Sequence, residues 1–140
     1  SGEFALPYAP DKPMGFVHIG DLGKAVARVL TEPGHAGATY ELCSTPQPIN
    51  RHHMASALSV AFGVEIRAVR CTIGDLEGSH FFASLTPAQR QQLANMYDHI
   101  DQFGTAYFNN DVLEMLTGEP STSYRTFTEE LANTVPQARA

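Results

Sequence analysis

The chain has 140 residues, of which 43% are hydrophobic and 17% charged, and its formal net charge is -6 at neutral pH. This length and composition are typical of one folded domain with an apolar core. The nine Lys and Arg residues form no basic stripe, and no apolar run approaches the ~20 residues that span a membrane. The sequence therefore predicts neither direct nucleic-acid binding nor a membrane segment.

The N-terminal residues indicate where the domain begins, and the cysteines indicate its cellular location. The first four residues, SGEF, are interpreted as an expression scar, and residues 5–140 as a single domain. Residues 5–13 contain three prolines and are predicted to form an extended loop. Cys43 and Cys71 form no CxxC pair, so we predict no disulfide framework and a cytoplasmic location.

The region after this loop has the pattern strand, helix, strand. Phe16–Ile19 is a short apolar segment predicted as a strand, and Asp21 is predicted to cap the helix that follows. This helix ends before Pro33 and Gly34. Ala38–Cys43 is rich in β-forming residues and lies between turn signals, which predicts a second strand.

The middle of the chain adds one helix and one strand. Asn50 is predicted to cap a helix over Arg51–Phe62, which ends at Gly63. Val64–Cys71 alternates apolar and polar residues with the period of a half-buried strand. The pattern of Asp75–Phe82 is compatible with more than one structure.

The C-terminal part is predicted to be helical. Thr86 as cap and Pro87 at the first position begin a long helix that Gly104 ends. Two shorter helices are predicted over Asn110–Leu116 and Tyr124–Thr134. The predicted fold is α/β (α+β in isolation), with a small, mostly parallel sheet of about three short strands and four to five helices.

Four segments of the chain carry a family resemblance. They are FVHIGDLGKAVARVL (Phe16–Leu30), GATYELCS (Gly37–Ser44), INRHHMASALSVAFGVEIRAV (Ile49–Val69) and LTGEPSTSYRTFTEELA (Leu116–Ala132). In this order and spacing they resemble the C-terminal half of NmrA-like proteins, atypical members of the short-chain dehydrogenase/reductase superfamily. The resemblance implies a partial Rossmann-like fold. In it, the first segment is the strand and helix before the last strand of the cofactor domain, and the second is that last strand. The third begins the substrate-side lobe, and the fourth is the ending of the family.

The glycine pattern argues against dinucleotide binding by this chain. A dinucleotide fold needs a glycine-rich turn between a strand and a helix, so that the pyrophosphate can approach the backbone. The sequence contains no GxGxxG, and the pairs Gly20/Gly23 and Gly34/Gly37 supply only two glycines each. We therefore predict no cofactor for this chain, whereas the resemblance implies NAD(P) in the parent protein.

One literal catalytic motif of short-chain dehydrogenases, Tyr-x-x-x-Lys, occurs at Tyr8 and Lys12. The pair works when both residues share one helix face, and Pro10 within the spacer disfavours a helix. We interpret the match as a coincidence in a loop and predict no catalytic residues.

The histidines are predicted to be solvated, with no metal site. His52 and His53 are neighbours and lie about 100° apart on a helix, which separates their rings. His99 lies beside Asp98 and Asp101, but none of these pairs has the i, i+4 spacing of a helical metal site.

A substrate-binding role is predicted for one histidine and a set of apolar residues. His18 lies near the end of a predicted strand, whose carboxyl end would face a cofactor crevice; a ring hydrogen-bonded to the turn at Asp21 is the simpler interpretation. Residues 75–110 correspond to the substrate-facing segment of the resembled family, although their apolar stripe is also typical of a core. The predicted substrate-binding residues are His18, Phe81, Phe82, Met96, Tyr97 and Tyr107.

Self-association is predicted from the strand Ala38–Cys43. At the edge of an incomplete sheet its N–H and C=O groups would be unpaired, and such an edge pairs readily with another chain. We therefore expect a homo-oligomer formed through exposed strand edges.

The leading hypothesis is a substrate- or partner-binding C-terminal portion of an NmrA-like NAD(P)-dependent reductase or redox-sensing regulator, incomplete for catalysis by itself. The alternative is a free-standing small-ligand-binding or protein-interaction domain without a cofactor. A third hypothesis is a standalone hydrolase or isomerase that uses His and Asp residues brought together by folding. The resemblance leaves open whether the parent is an enzyme.

Overall fold

The computed structural model describes residues 2–105 and 108–135 and has the predicted α/β character. Within these described ranges the sheet has two strands, fewer than predicted, and the helices number seven, more than predicted. The elements in chain order are β1 (Gly2–Leu6), α1 (Ile19–Thr31), α2 (Arg51–Phe62), β2 (Ile66–Arg70), α3 (Ile73–Leu76), α4 (His80–Ala83), α5 (Pro87–Phe103), α6 (Asp111–Thr117) and α7 (Tyr124–Thr134).

The sheet joins the N-terminus to the middle of the chain. Strands β1 and β2 run parallel, with a register from Gly2 opposite Ile66 to Leu6 opposite Arg70. Strand β2 confirms the third predicted strand. Residues 2–4, interpreted from the sequence as part of an expression scar, belong to β1, which pairs with β2 along its whole length.

Two predicted strands are absent from the described residues. Phe16–Ile19 and Ala38–Cys43 are not paired in a ladder, and Ile19 already belongs to α1. The two segments are joined near their ends, where Ser44 N donates to Phe16 O at 2.7 Å and His18 N donates to Ser44 Oγ at 2.9 Å. The β-rich pattern identifies strand-forming residues, but a strand also needs a continuous backbone partner.

Helices α2, α5 and α7 have the predicted bounds because local signals fix their ends. Asn50 and His53 form a capping box at the start of α2, and Gly63 ends it with a φ of 66°. Thr86 and Gln89 form a second capping box before α5. Such side chains satisfy the free N–H groups of the first turn.

Helix α1 begins earlier than predicted. His18 is its N-cap residue, so the prediction that Asp21 caps it was wrong. Residues 75–82, whose sequence pattern is compatible with more than one structure, include parts of the short helices α3 and α4. Helix α6 begins and ends one residue later than predicted.

Two apolar clusters form the core, and none of the described helices is long and apolar enough to cross a membrane. The first cluster packs the N-terminal loop against α5, and the second packs α1 against α6. Their buried members are Tyr8, Met14 and Ile100 in the first cluster and Ala25, Leu113 and Leu116 in the second.

The buried guanidinium of Arg51 connects β1, β2 and α2. The Arg51 side chain is fully buried, and its guanidinium lies over the ring of Tyr8, 4.4 Å from the ring centroid. It donates to Val69 O at 2.6 Å, to Phe4 O at 3.2 Å and to Tyr8 O. Burial is the main cause that lowers the pKa of Arg51. Carbonyl oxygens thus solvate a charge that water does not reach.

Candidate functional site

Two clefts meet where the loop after Ala38–Cys43 touches the start of α7. We call them the His18 cleft, with a volume of about 290 Å³, and the α2–α7 cleft, with a volume of about 410 Å³. Both are lined by Ser44, Thr45, Ser123 and Tyr124. The other residues lining the His18 cleft are Phe16, Val17, His18, Ile19, Thr122 and Phe127.

A buried carboxylate holds the segments around the His18 cleft together. Asp21 is only 5% exposed and accepts hydrogen bonds from Thr122 N at 2.7 Å and Thr122 Oγ1 at 2.9 Å. It also accepts from Ser44 Oγ at 3.1 Å, and the same hydroxyl accepts from the backbone of His18. The first turn of α1, the loop at residue 44 and the approach to α7 are therefore fixed relative to one another.

These hydrogen bonds control the charge of Asp21. Burial raises the pKa of this carboxyl, but the donors on Thr122 and Ser44, together with the nearby His18, outweigh it, and the net effect lowers the pKa. Asp21 is therefore ionised at neutral pH.

The ring of His18 forms a polar edge of the cleft. Its Nδ1 lies 3.7 Å from Asp21 Oδ1 and its Nε2 lies 3.9 Å from Glu130 Oε2, and both distances are too long for hydrogen bonds. The Nδ1 atom is buried and has no hydrogen-bond partner among the described residues. The simpler interpretation, a His18 ring hydrogen-bonded to the turn at Asp21, does not describe this geometry. Instead, the backbone N–H of His18 is connected to Asp21 through the hydroxyl of Ser44.

Aromatic rings form the opposite side of the cleft. Tyr124 lies between Phe16 and Phe127, with ring centroids 6.3 Å and 5.7 Å away. The Phe127 ring also lies 6.0 Å from the ring of His18. These separations are typical of favourable aromatic pairs. A flat ligand can therefore contact both a ring surface and a polar edge.

The aromatic residues predicted to bind substrate lie elsewhere. Phe82 is buried beneath Arg90, whose guanidinium is 5.5 Å from the ring centroid, and Phe81 is 63% exposed. Neither residue lines the His18 cleft or the α2–α7 cleft.

Met96 and Tyr97 also line neither cleft. Tyr97 stacks on Tyr8 at 6.0 Å within the first apolar cluster, and Met96 is exposed on α5. Tyr107 lies outside the described residues. The structure therefore does not bring the described aromatic residues together with His18, and their binding of a substrate stays a prediction.

Sequence reasoning missed most of the residues that line the His18 cleft. Ser44, Thr122 and Phe127 come from segments quoted only for their family resemblance. The hydroxyl-rich sequences around residues 44 and 122 were a usable signal, because hydroxyls between apolar segments often satisfy a buried polar group. Because these segments lie far apart in the sequence, the sequence did not show that Ser44 and Thr122 both donate to Asp21.

The Tyr-x-x-x-Lys match lies in a turn, as predicted. Tyr8 and Lys12 are not helical, and Tyr8 is buried in the core. Burial raises the pKa of Tyr8 despite the opposing effect of Arg51. A catalytic tyrosine of this kind needs a lowered pKa.

The N-terminus of α1 is unsuited to a phosphate group. The Asp21 carboxylate lies in the first turn of α1, where it would repel a pyrophosphate. A Cβ added to Gly20 would lie 3.0 Å from His18 Cε1, so this glycine leaves room for the histidine ring. No group of three His, Cys, Asp or Glu side chains within the described ranges is arranged to hold a metal ion.

Comparison with solved structures identifies the fold. The chain matches Citrobacter sp. triphenylmethane reductase complexed with NADP(H) with a TM-score of 0.72 and 25% identity, covering 94% of this chain and 44% of that one. It matches the NADPH-dependent quinone oxidoreductase QOR2 from Escherichia coli with a TM-score of 0.72 and 22% identity, covering 92% and 44%. It matches NmrA, a negative transcriptional regulator in complex with NAD, with a TM-score of 0.61 and 13% identity, covering 97% and 44%.

No protein-family model and no curated protein matches the chain. The chain spans less than half the length of the solved structures it resembles. The chain therefore shares its fold with part of NmrA and of the two reductases, and the fold that the resemblance implied is confirmed.

Proposed function

We propose that the chain is the substrate-side portion of an NAD(P)-dependent reductase or redox-sensing regulator, and that the His18 cleft holds its substrate. The observation that supports this most is a cleft with aromatic walls and one polar edge, in a fold shared with NADP(H)-binding reductases. The nicotinamide would supply a hydride in such a protein.

The walls of the cleft favour a flat aromatic substrate. Tyr124 and Phe127 present ring surfaces, and stacking on such surfaces stabilises planar ligands. Two of the similar proteins are named for triphenylmethane and quinone substrates, both of which contain planar rings. A redox-active ring system is thus the substrate class that we propose.

His18 supports the proposal through its unbonded ring nitrogen. A substrate oxygen that accepts or donates a hydrogen bond would give the Nδ1 atom of this partly exposed ring a partner that the described residues do not supply. The fixed backbone of His18 would limit the ring to a narrow range of positions. Its role would be to position the substrate.

Titration of the ¹⁵N-labelled chain with 1,4-naphthoquinone tests the proposal. We expect saturable amide shifts for the residues around Tyr124 and Phe127. Replacing Phe127 with Leu removes a ring and should weaken binding by about threefold to tenfold. The matched control is Phe103→Leu, which changes an exposed ring on α5 and should leave binding unchanged.

Shifts centred elsewhere, or an affinity unaffected by Phe127→Leu, would overturn the assignment of the cleft. NADPH should produce no saturable shifts in this chain. Clear binding of NADPH would show that this chain itself contains a cofactor site.

The alternative is a free-standing ligand-binding domain, which the ordinary composition of the chain would also suit. The reading frame of the gene separates the two hypotheses. Upstream codons for a strand and a glycine-rich loop support the reductase or regulator, and a start codon just before residue 5 supports the alternative.

A further inference from the structure

The α2–α7 cleft is larger than the His18 cleft and has a different lining. Its volume of about 410 Å³ falls within the range of ~300–1,000 Å³ that is usual for small-molecule sites. Residues of α2 and α7 form its two walls, and residues 44–49 close one end. Its own lining residues are Pro46, Gln47, Ile49, His53, Ser56, Ala57, Val60, Ala61, Arg125, Thr128 and Glu129.

The α2 wall is apolar and leaves space. Ala57, Val60 and Ala61 lie on one face of α2, and Ile49 lies at the closed end. Val60 is 71% exposed although α2 packs against α7 on this side. The two alanines are too short to fill the gap between the helices. An apolar body of a few carbon atoms would cover this wall.

The α7 wall carries one charge of each sign. Arg125 and Glu129 are exposed one turn apart, and neither side chain makes an ion pair or hydrogen bond with the rest of the described chain. Their order, with the cation before the anion, is the weaker arrangement for pairing along a helix. Both charges are therefore available to a ligand.

We propose that the α2–α7 cleft binds a small apolar zwitterion, namely a free α-amino acid with a branched aliphatic side chain. Its carboxylate pairs with Arg125 and its ammonium group with Glu129. Its side chain lies on Val60 and the two alanines. This site adjoins the proposed substrate site and shares Ser44, Thr45, Ser123 and Tyr124 with it, but the proposal does not rest on that function.

Titration of the ¹⁵N-labelled chain with leucine tests this site. We expect saturable amide shifts over residues 56–61 and 124–129, with an affinity near the millimolar range. Three probes each lack one recognised feature: glycine lacks the apolar body, N-acetyl-leucine the ammonium group and leucinamide the carboxylate. Each should bind at least about threefold more weakly than leucine.

Single substitutions test whether Arg125 and Glu129 bind the ligand. Arg125→Gln and Glu129→Gln should each weaken leucine binding by about threefold or more, because an exposed ion pair is lost. The matched controls are Arg67→Gln and Glu65→Gln, which remove exposed charges outside the cleft. Ala57→Phe should fill the cleft and abolish the shifts, while circular dichroism shows whether that variant remains folded.

Three outcomes would overturn the proposal. The first is the absence of saturable shifts up to about 10 mM leucine. The second is equal binding of leucine and N-acetyl-leucine. The third is an unchanged affinity in both Arg125→Gln and Glu129→Gln.

Discussion

At Asp21, one carboxylate accepts three hydrogen bonds from Thr122 and Ser44 while being almost fully buried. A neutral amide of the same shape can accept some of these bonds, but it places an NH₂ group against donors. Hydrogen bonds to a charged group are also stronger than those to a neutral one.

We expect Asp21→Asn to reduce the free energy of unfolding by about 1–3 kcal/mol. Urea denaturation followed by circular dichroism measures this loss. Asp98→Asn is the matched control, because Asp98 is exposed on α5, and it should change the stability little. Equal stabilities of Asp21→Asn and the wild type would contradict the assigned role.

The lowered pKa of Asp21 also predicts a dependence on pH. The folded-state pKa lies below the unfolded value of about 3.9, so the unfolded chain binds more protons in acid. The contribution of Asp21 is complete above about pH 4 and is lost as the pH falls through the folded-state pKa.

The difference in unfolding free energy between the wild type and Asp21→Asn should therefore narrow from about pH 7 to about pH 3. Comparison of the two proteins is necessary because the pKa values of Asp75, Asp101 and Glu114 are also lowered by hydrogen bonds. A difference that stays constant over this range would contradict the prediction.

The sequence pointed to Asp21 but assigned it the wrong role. An acidic residue before a helical stripe is a common capping signal, and that signal is local. The actual partner Thr122 lies 101 residues away, and no local pattern reports such a contact. The same reason explains why His18 was the one predicted binding residue found in a described cleft, whereas Phe127 was missed.

At the scale of elements, Arg51 connects a helix to both strands. Its guanidinium bonds to carbonyl oxygens of Phe4, Tyr8 and Val69 at once. The planar fork of arginine can serve several acceptors, and the single ammonium group of lysine cannot reach them all.

Arg51→Lys should therefore reduce the free energy of unfolding by about 1–3 kcal/mol, since buried carbonyl groups lose their donors. Arg67→Lys on the exposed side of β2 is the matched control. Amide hydrogen exchange should show faster exchange in β1 and β2 for Arg51→Lys alone. Unchanged exchange in both strands would count against the connecting role.

The bounds of most long helices were predictable, whereas β2 was the only predicted strand found among the described residues, and the difference has a physical reason. The ends of α2 and α5 depend on capping residues a few positions away, which the sequence displays directly. Strand β1 exists because residues in the middle of the chain pair with it. The segment Ala38–Cys43 has suitable residues for a strand but no ladder partner among the described residues.

At the scale of the whole molecule, an apolar surface remains uncovered. Ile19, Val26 and Leu30 are exposed at helical spacing along one side of α1, and Leu30 is 79% exposed. Among the described residues, the backbone of positions 39–42 makes no backbone hydrogen bond. Such surfaces favour association with another chain.

We expect light scattering to give a mass above the 15.2 kDa of one chain at high concentration. Leu30→Glu should shift the mass towards that of a single chain, because it places a charge within the apolar stripe. Phe103→Glu, which changes an exposed ring on α5, should not. A single-chain mass at every concentration would contradict self-association.

The pairing of β1 with β2 has a consequence for biosynthesis. Strand β1 is translated well before β2, so Gly2–Leu6 can pair with Ile66–Arg70 only after the second segment has emerged from the ribosome. Helices α1 and α2 lie between them and need only local bonds to begin forming. The β1–β2 ladder thus forms only after both of the intervening helices have been translated.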